Sequence, residues 1–587
     1  MLGKRSAQRG LFEADHLHLG FVGEDTFYGF LARQRGILFR DEDFAEFYCP
    51  NNGRTSVAPS LLATALLLQT YEGVSDEEAK ARADYDLRWK VALGVAVEER
   101  PFAKSTLQLF RAQLILNGKM RAVFGRSLAY ARQTSYLKRH HLTAVLDTTY
   151  ILGRGAVKDT YNLLADGMRQ LTKALAEVSG VSQQAWSQQH DLGRYLASSI
   201  KGEATLDWDN EAARNEFLHG IVTDAERLLG LRSEIASRLA EDDPRFVRLV
   251  RAAEVLDALI EQDVERDASG IRLKQGVARD RMVSVHDPEM RHGRKSRRKR
   301  FDGHKAAIAV DADSQLITAV EVLPGNAPDA THAVELTQAS EENTGLAVVE
   351  TVGDCAYGDG GTRQAFAEAG RTLVAKVAAH GRRDQLAKEA FQIDLAGMTC
   401  TCPAGCTTST LIRQGSWIDR HGQRQPAYAF QFATGSCAAC RLRPECIKAK
   451  TGRGRTVHVH PQEHLLQAAR ALQSSPAFGE YRQKRQVAEH RLARLVQLGI
   501  RRARYFGRAK TLFQLLMAAT VANLTLVAGQ IGQMRSRKRR SASFLCAFLA
   551  SIQLFLEPDS PTPHHHTRFH RLLHRFCLQN LSFRLGL

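Results

Sequence analysis

The stretch FDGHKAAIAVDADSQLITAVEVLPGN (301–326) decides the fold class. Apolar residues alternate on either side of a turn at Asp311 to Ser314, the pattern of two strands joined as a hairpin. Downstream, ATHAVELTQASEEN has helical spacing, and LAVVETVGDCAY is an almost wholly apolar strand running up to Asp354. A helix, GGTRQAFAEAG, and another strand, TLVAKVAA, follow. Upstream, HLTAVLDTTYI (141–151) is a further β-rich run with one acid, Asp147, at its centre. The order β, β, β, α, β, α, β predicts a mixed α/β domain, and a carboxylate inside a buried strand needs a chemical reason.

Around this domain the periodicity is helical. PSLLATALLLQ, EEAKARADYDLRWKVALG and FAKSTLQLFRAQLI predict a helical unit over residues 1–135, with Ser75 and Glu78 spaced as a capping box. Such a bundle, with Arg and Lys on its surface, is either a plain helical domain or a helix-turn-helix DNA reader. The α/β domain then divides into 136–160 and 281–389, separated by a helical insertion at 161–280. A cysteine-rich insertion at 390–460 precedes C-terminal helices at 461–530 and a basic, His-rich tail at 531–587.

The charge balance is strongly basic: 81 Lys and Arg against 63 Asp and Glu give a net charge of +18. Such a surface attracts polyanions, nucleic acid above all. Two runs concentrate the charge. RHGRKSRRKR (291–300) supplies Arg294, Lys295, Arg297, Arg298, Lys299 and Arg300 directly before the hairpin strands, and a second run spans Arg535 to Arg540. Each is either a solvated loop or a set of phosphate contacts. The N-terminus lacks the apolar core of a signal peptide, and the longest apolar stretch, Phe544 to Leu556, is interrupted by Ser551 and Gln553 and short for a bilayer, so a cytoplasmic protein without a membrane partner is expected.

Phosphodiester chemistry calls for oxygen ligands around divalent cations, so three or so carboxylates must meet from separate elements. Asp147 and Asp354 lie on strands that would be neighbours in one sheet; each is otherwise a strand-end Asp capping a turn. The helical string EYRQKRQVAEHRLARLVQLGI offers Glu480 and Glu489 as a third acid. Arg485, four residues before Glu489, shares its helical face, either as a surface ion pair or as a phosphate ligand beside a metal ligand.

In combination, LDTTYILGRGAVKDTYNLL (146–164), RMVSVHDPEMRHGRKS (281–296), FDGHKAAIAVDADS, VLPGNAPDATH, VGDCAYG and YRQKRQVAEHRLARLVQLGIRRARYFGRAK (481–510) resemble transposases of the insertion-sequence 1182 family over roughly residues 30–530. The resemblance implies an RNase H-like mixed sheet flanked by helices and an acidic triad on Asp147, Asp354 and Glu489, with Mg²⁺ or Mn²⁺, two ions, as cofactor. It also implies Arg485 and Lys484 as DNA-binding residues on the glutamate helix. Tyr481 stands one residue from the family spacing, and Val496 occupies the position of the family lysine, with Arg494 or Lys510 as substitutes. The implied activity is hydrolytic nicking at transposon ends, then attack of the freed 3′-hydroxyl on target DNA. The implied partner is double-stranded DNA, terminal inverted repeats and target, with a homodimer in the synaptic complex and a nucleoid-associated bacterial location.

Six of the ten cysteines cluster between 400 and 446. Cys402-Pro-Ala-Gly-Cys406, then Cys437-Ala-Ala-Cys440 and Cys446, have the paired spacing of a zinc ribbon. The expected ligands of a structural Zn²⁺ are Cys402, Cys437, Cys440 and Cys446, with Cys400 or Cys406 as competitors. Three readings stay open: a transposase, a transposase-derived DNA-binding protein without turnover, and a host RNase H-like nuclease.

Overall fold

The computed structural model describes the chain except for residues 6–11, 138–139, 269, 297, 379–384, 419–422, 449–451 and 557–587, and the side chains of 233 and 533–556. Arg297 and the histidines of the C-terminal tail lie outside the described residues. The chain divides into two compact units, Met1–Val527 and Ala528–Leu587.

The first unit is built on a six-stranded mixed sheet. Its strands are β1 (His141–Leu152), β2 (Arg291–Arg294), β3 (Arg300–Asp311), β4 (Ile317–Pro324), β5 (Ala347–Gly353) and β6 (Leu373–Ala375). The order is β2-β3-β1-β5-β6, with β4 also paired to β3. β3 runs antiparallel to β1 and β4, whereas β5 lies parallel to β1 and β6 parallel to β5. Antiparallel strands first and parallel strands after are consistent with a DDE nuclease fold. β1 is central, and Leu142, Ala144, Val145 and Leu146 are buried, which accounts for its near-continuous apolar run.

The hairpin turn forms where the sequence predicts it. Asp311 accepts hydrogen bonds from the Ser314 amide at 2.9 Å and its hydroxyl at 2.6 Å, and Gln315 takes up the positive φ that closes the turn.

The helices that matter are α1 (Pro59–Glu72), α2 (Thr160–Ser179), α3 (Glu211–Ala236), α4 (Pro244–Asp263), α5 (Ala333–Thr344), α6 (Gly360–Glu368), α7 (Gly479–Gln497) and α8 (Arg508–Leu556). The helix predicted from Glu77 to Gly94 is two, Asp76–Tyr85 and Leu87–Leu93. Asp86 breaks it in an extended conformation and caps the second by accepting the Arg88 amide at 2.9 Å. Ser75 caps Asp76–Tyr85 through the Glu78 amide at 3.1 Å.

The insertion after β1 forms its own apolar core, with Leu164, Met168 and Leu171 of α2 against Ile221 and Leu228 of α3 and Leu256 and Leu259 of α4. It nevertheless belongs to the same unit as the sheet, as do the N-terminal helices. Two polar ties explain part of that union. Arg132 donates to the Thr344 carbonyl at 2.6 Å, and the buried Asn523 bonds both backbone groups of Ile317 at 2.9 and 2.8 Å and the Ser127 hydroxyl at 3.4 Å.

The segment Arg508–Gly532 is long and apolar enough to cross a membrane, a length the sequence reading did not single out. Most of its apolar window is buried, with Leu515, Leu516, Val521 and Leu524 inside the first unit, so it serves as a core helix. The second unit is helical as far as Leu556.

Candidate active site

Backbone pairing brings the two aspartates level. Val145 pairs with Val352 in the parallel β1–β5 register, and two further residues along each strand reach Asp147 and Asp354. Asp147 sits on the body of β1, opposite Ile308 of β3, with only 14% of its side chain exposed. Asp354 follows the last residue of β5 and accepts the Ala356 amide at 2.8 Å, so it also caps the short turn Cys355–Tyr357. Turn capping and placement beside Asp147 therefore coexist in one residue.

The third acid arrives on α7. Asp147, Asp354 and Glu489 all line one cavity of about 600 Å³, together with Thr148 to Tyr150, Arg294, Lys295, Lys305, Asp329 and Arg501. Helix α7 is tied to the sheet at three points. Tyr481 donates to the Gly353 carbonyl at 2.7 Å, Lys484 pairs with Glu350 at 2.5 Å, and Arg485 donates to the Leu146 carbonyl at 3.3 Å. Tyr481, which lies off the family spacing, thus anchors the residue before Asp354. Lys484, expected at DNA, is committed to Glu350.

Arg485 stands between two of the acids, with one guanidinium nitrogen 3.4 Å from Asp147 and the other 3.7 Å from Glu489. Its own exposure is 13%, whereas Glu489 is 64% exposed. Burial pushes the Asp147 carboxyl up to about 6. Arg485 and the Thr148 amide pull it down, and the charges of Asp354 and Glu489 push it up again. An acid deprived of water beside two others is short of positive charge.

Two further groups face the same place, and neither was singled out from the sequence. The Tyr357 hydroxyl is buried without a hydrogen-bond partner, close to the charges of Asp147, Asp329, Asp354 and Arg485. Asp329 holds Lys305 at 2.6 Å, and Lys305 also donates to the Ala327 carbonyl at 2.7 Å. An orphaned hydroxyl and oxygen-only acids fit the coordination chemistry of a hard divalent cation and its water. Among the described residues, however, no three His, Cys, Asp or Glu side chains close on a point at ligand spacing.

The basic run takes up a definite place. Arg294 pairs with Arg300 as β2 joins β3, and Arg294 and Lys295 line the acid cavity. Arg298, Lys299 and Arg300 are exposed. Of the substitutes for the family lysine, Arg494 bonds Gln497 at 3.3 Å, and Lys510 lines a different cavity with His286 and Glu289. Val496 itself lines the acid cavity, and the cation found there is Arg501, just past the end of α7. No periodic pattern marks Arg501, because it lies in an irregular turn held to β1 by bonds between the backbones of Arg501 and Leu152 (2.9 Å) and of Leu152 and Ala503 (2.8 Å).

The cysteines behave differently. Cys400 is fully buried and packs with Phe391, Phe430, Phe432 and Val457, and Cys402, Cys437 and Cys446 pack against the same small core. Burial pushes the Cys400 thiol up to about 11. Cys406 is exposed and its thiol meets that of Cys402, which raises it, with Cys440 and Cys437 more weakly felt. The Cys446 thiol feels those of Cys437, Cys440 and Cys402, but among the described residues no three ligands form a metal-ready group, so the expected zinc ribbon on Cys402, Cys437, Cys440 and Cys446 is not shown.

Two family models match the chain: Transposase DDE domain over residues 401–528, and Transposase domain (DUF772) over residues 26–113. The first covers the cysteine-rich segment, α7 with Glu489 and most of the buried part of α8; the second covers the N-terminal helices. No curated protein and no solved structure matches the chain. The two matches identify the chain as a DDE-type transposase, consistent with the insertion-sequence 1182 family that its sequence strings resemble.

Proposed function

We propose that this transposase cleaves DNA at transposon ends and joins the freed 3′-hydroxyl to target DNA by two-metal-ion phosphoryl transfer, with Asp147, Asp354 and Glu489 as the metal ligands. The observation that carries the reading is that three acids from distant parts of the chain line one cavity whose walls also carry Arg294, Lys295 and Arg501. Transposase domains imply DNA as the partner and a divalent cation, typically Mg²⁺, as the cofactor. When bound, the cations supply charge neutralisation at the phosphorus and at the attacking and leaving oxygens.

The chain's own part follows from its geometry. Asp147 and Asp354, held by backbone pairing, offer fixed carboxylates, while Glu489 on the exposed side of α7 closes the set. Arg485 neutralises Asp147 and Glu489 in the metal-free protein, and its planar fork suits a DNA phosphate once cations take over that task. Tyr357 holds its hydroxyl towards the acids as a donor. Exposed Arg298, Lys299 and Arg300 extend the phosphate-binding surface beyond the cavity. The proposal includes the synaptic homodimer and the domain limits given above, and leaves out a structural Zn²⁺.

The test is Mg²⁺- or Mn²⁺-dependent nicking of DNA taken from the flanks of this reading frame. Nicking is expected to vanish in Asp147→Asn, Asp354→Asn and Glu489→Gln while DNA binding persists. Binding without nicking in the unmutated protein would instead establish the second reading, a transposase-derived DNA-binding protein.

A further inference from the structure

Beside the acids, some of the cavity's cations gather around one aromatic ring, Tyr150, which has no role in the reading above. Tyr150 ends the run Asp147 to Tyr150 along the cavity, and the Arg501 guanidinium lies 3.8 Å from its ring centroid. The ammonium groups of Lys299 and Lys295 lie 5.3 and 5.7 Å from that same centroid, and the Phe301 ring packs beside it at 5.2 Å. The nearby Lys299 ammonium, with Arg501 and Lys295, draws the Tyr150 hydroxyl below its ordinary range.

Three cations from two places in the chain, the basic turn before β3 and the turn after α7, converge on one aromatic ring. Among the described residues, none of Lys295, Lys299 and Arg501 has a carboxylate within ion-pair distance. Many other Lys and Arg side chains in the chain are paired, as Lys484 is with Glu350 and Lys305 with Asp329. Arg501 spends one terminal nitrogen on the Thr149 hydroxyl at 3.1 Å and the Tyr150 carbonyl at 2.7 Å. Its other terminal nitrogen and Nε have no hydrogen-bond partner among the described residues. Gathered like charges repel, and the π face of one phenol offsets only part of that cost. An anion relieves it, and a planar guanidinium with donors to spare is suited to phosphate oxygens.

We propose that Tyr150, Arg501, Lys299 and Lys295 form a subsite for a DNA backbone phosphate flanking the scissile bond. The inference rests on the reading of the acids as the cleavage centre. Tyr150 lies three residues beyond Asp147, roughly 10 Å along a strand. A duplex strand advances about 3.4 Å of axis per nucleotide and its phosphates also wind about that axis, so the phosphate held here lies within about three nucleotides of the cut. The subsite fixes the strand's register on the acids, and Arg501 is a positioning residue.

The experiment uses the full-length chain carrying Asp354→Asn, so that binding is read without cutting, and duplexes from the flanks of this reading frame. Phosphates near the mapped cut are replaced one at a time by neutral methylphosphonates, and affinity is measured by fluorescence anisotropy across a salt series. The Asp354→Asn chain is expected to lose about tenfold in affinity at one or two positions within about three nucleotides of the cut, as for one charge-assisted contact. Adding Lys299→Ala or Arg501→Ala is expected to weaken binding to unmodified DNA, lower the salt slope by about one, and abolish the further loss at those positions. Because Arg501 also holds the β1 backbone, Lys299→Ala, in an exposed turn, keeps the test sound if Arg501→Ala misfolds. Equal methylphosphonate losses with and without Lys299, or no sensitive position, overturn the subsite. If the unmutated chain never nicks yet one or two phosphates of the terminal duplex are sensitive only while Lys299 is present, phosphate binding at Tyr150 stands and the catalytic reading falls.

Discussion

The acid cavity and the cysteine-rich segment both attract attention as metal sites in the sequence, and in neither do three ligands close on a point. What differs is what keeps the ligands apart. Between Asp147 and Glu489 stands a cation, Arg485, at 3.4 and 3.7 Å, with an unpartnered Tyr357 hydroxyl nearby. Around Cys400, Cys402, Cys437 and Cys446 stand Phe391, Phe430, Phe432 and Val457. In the first region the buried Asp147 depends on Arg485 for its nearest positive charge, and on the proposed reading a divalent cation would share that task. The second packs its sulfurs against a small apolar core, where Cys446 also feels Cys437, Cys440 and Cys402. Ligand spacing in sequence therefore says less than the company the ligands keep.

The sharpest way to break this comparison is at the acids. Asp354→Asn is expected to lower Mg²⁺-dependent nicking by about three orders of magnitude or more, measured as product per turnover time, while DNA affinity changes little. Retained nicking would remove the acid cavity from the chemistry.

Next in size is the cation between the acids. Arg485→Met leaves Asp147 without its nearest positive partner, and removing one member of a largely buried pair costs about 3 kcal/mol. Thermal unfolding in EDTA is expected to show that loss, and saturating Mg²⁺ is expected to narrow the gap between variant and parent. If Mg²⁺ leaves the gap unchanged, Arg485 is a structural prop and does not stand in for a metal.

The pH dependence of the metal-free protein sharpens the same point. Asp147 has a carboxyl near 6 in the folded chain against an ordinary value near 3.8. A raised acid favours folding in its protonated form, so its contribution is complete below about pH 4 and is lost as pH rises through 6. The loss, about 2 kcal/mol after allowance for partial exposure, is expected in denaturant titrations between pH 4 and 7 and is expected to flatten in Asp147→Asn. A pH-independent difference between the two proteins would contradict it.

The smallest effect is expected at the cysteines. Cys440→Ser should cost less than about 1 kcal/mol, the range of an ordinary surface change. Structural zinc contributes on the order of 10 kcal/mol to the folding of small domains, so a collapse of Tm in Cys440→Ser together with stoichiometric zinc in the parent would reinstate the ribbon.

Much of the core was legible because its strands are buried and say so. HLTAVLDTTYI and LAVVETVGDCAY place single acids at or just after apolar runs, and the β1–β5 register then aligns them. Glu489 was legible through its i, i+4 partner Arg485 on one helical face. Asp329, Tyr150 and Arg501 were not, because each belongs to a turn or strand end whose neighbours across space come from other elements. For Lys484, implied at DNA by the resemblance, nothing in the sequence signalled its ion pair with Glu350 on the adjacent strand. The cysteine spacing carried no information about the phenylalanines around which the segment would collapse.

The three ties of α7, from Tyr481 to Gly353, Lys484 to Glu350 and Arg485 to Leu146, all lie within its first two turns and all reach the strands that carry the aspartates. They clamp the glutamate helix to β1 and β5 independently of the hundred or so residues threaded between β6 and α7. Whatever that intervening segment gains or loses in length, the distance from Glu489 to its fellow acids is mechanically decoupled from it. The chain can thus vary its excursion as a freely tunable accessory while its cutting edge keeps the same calibration.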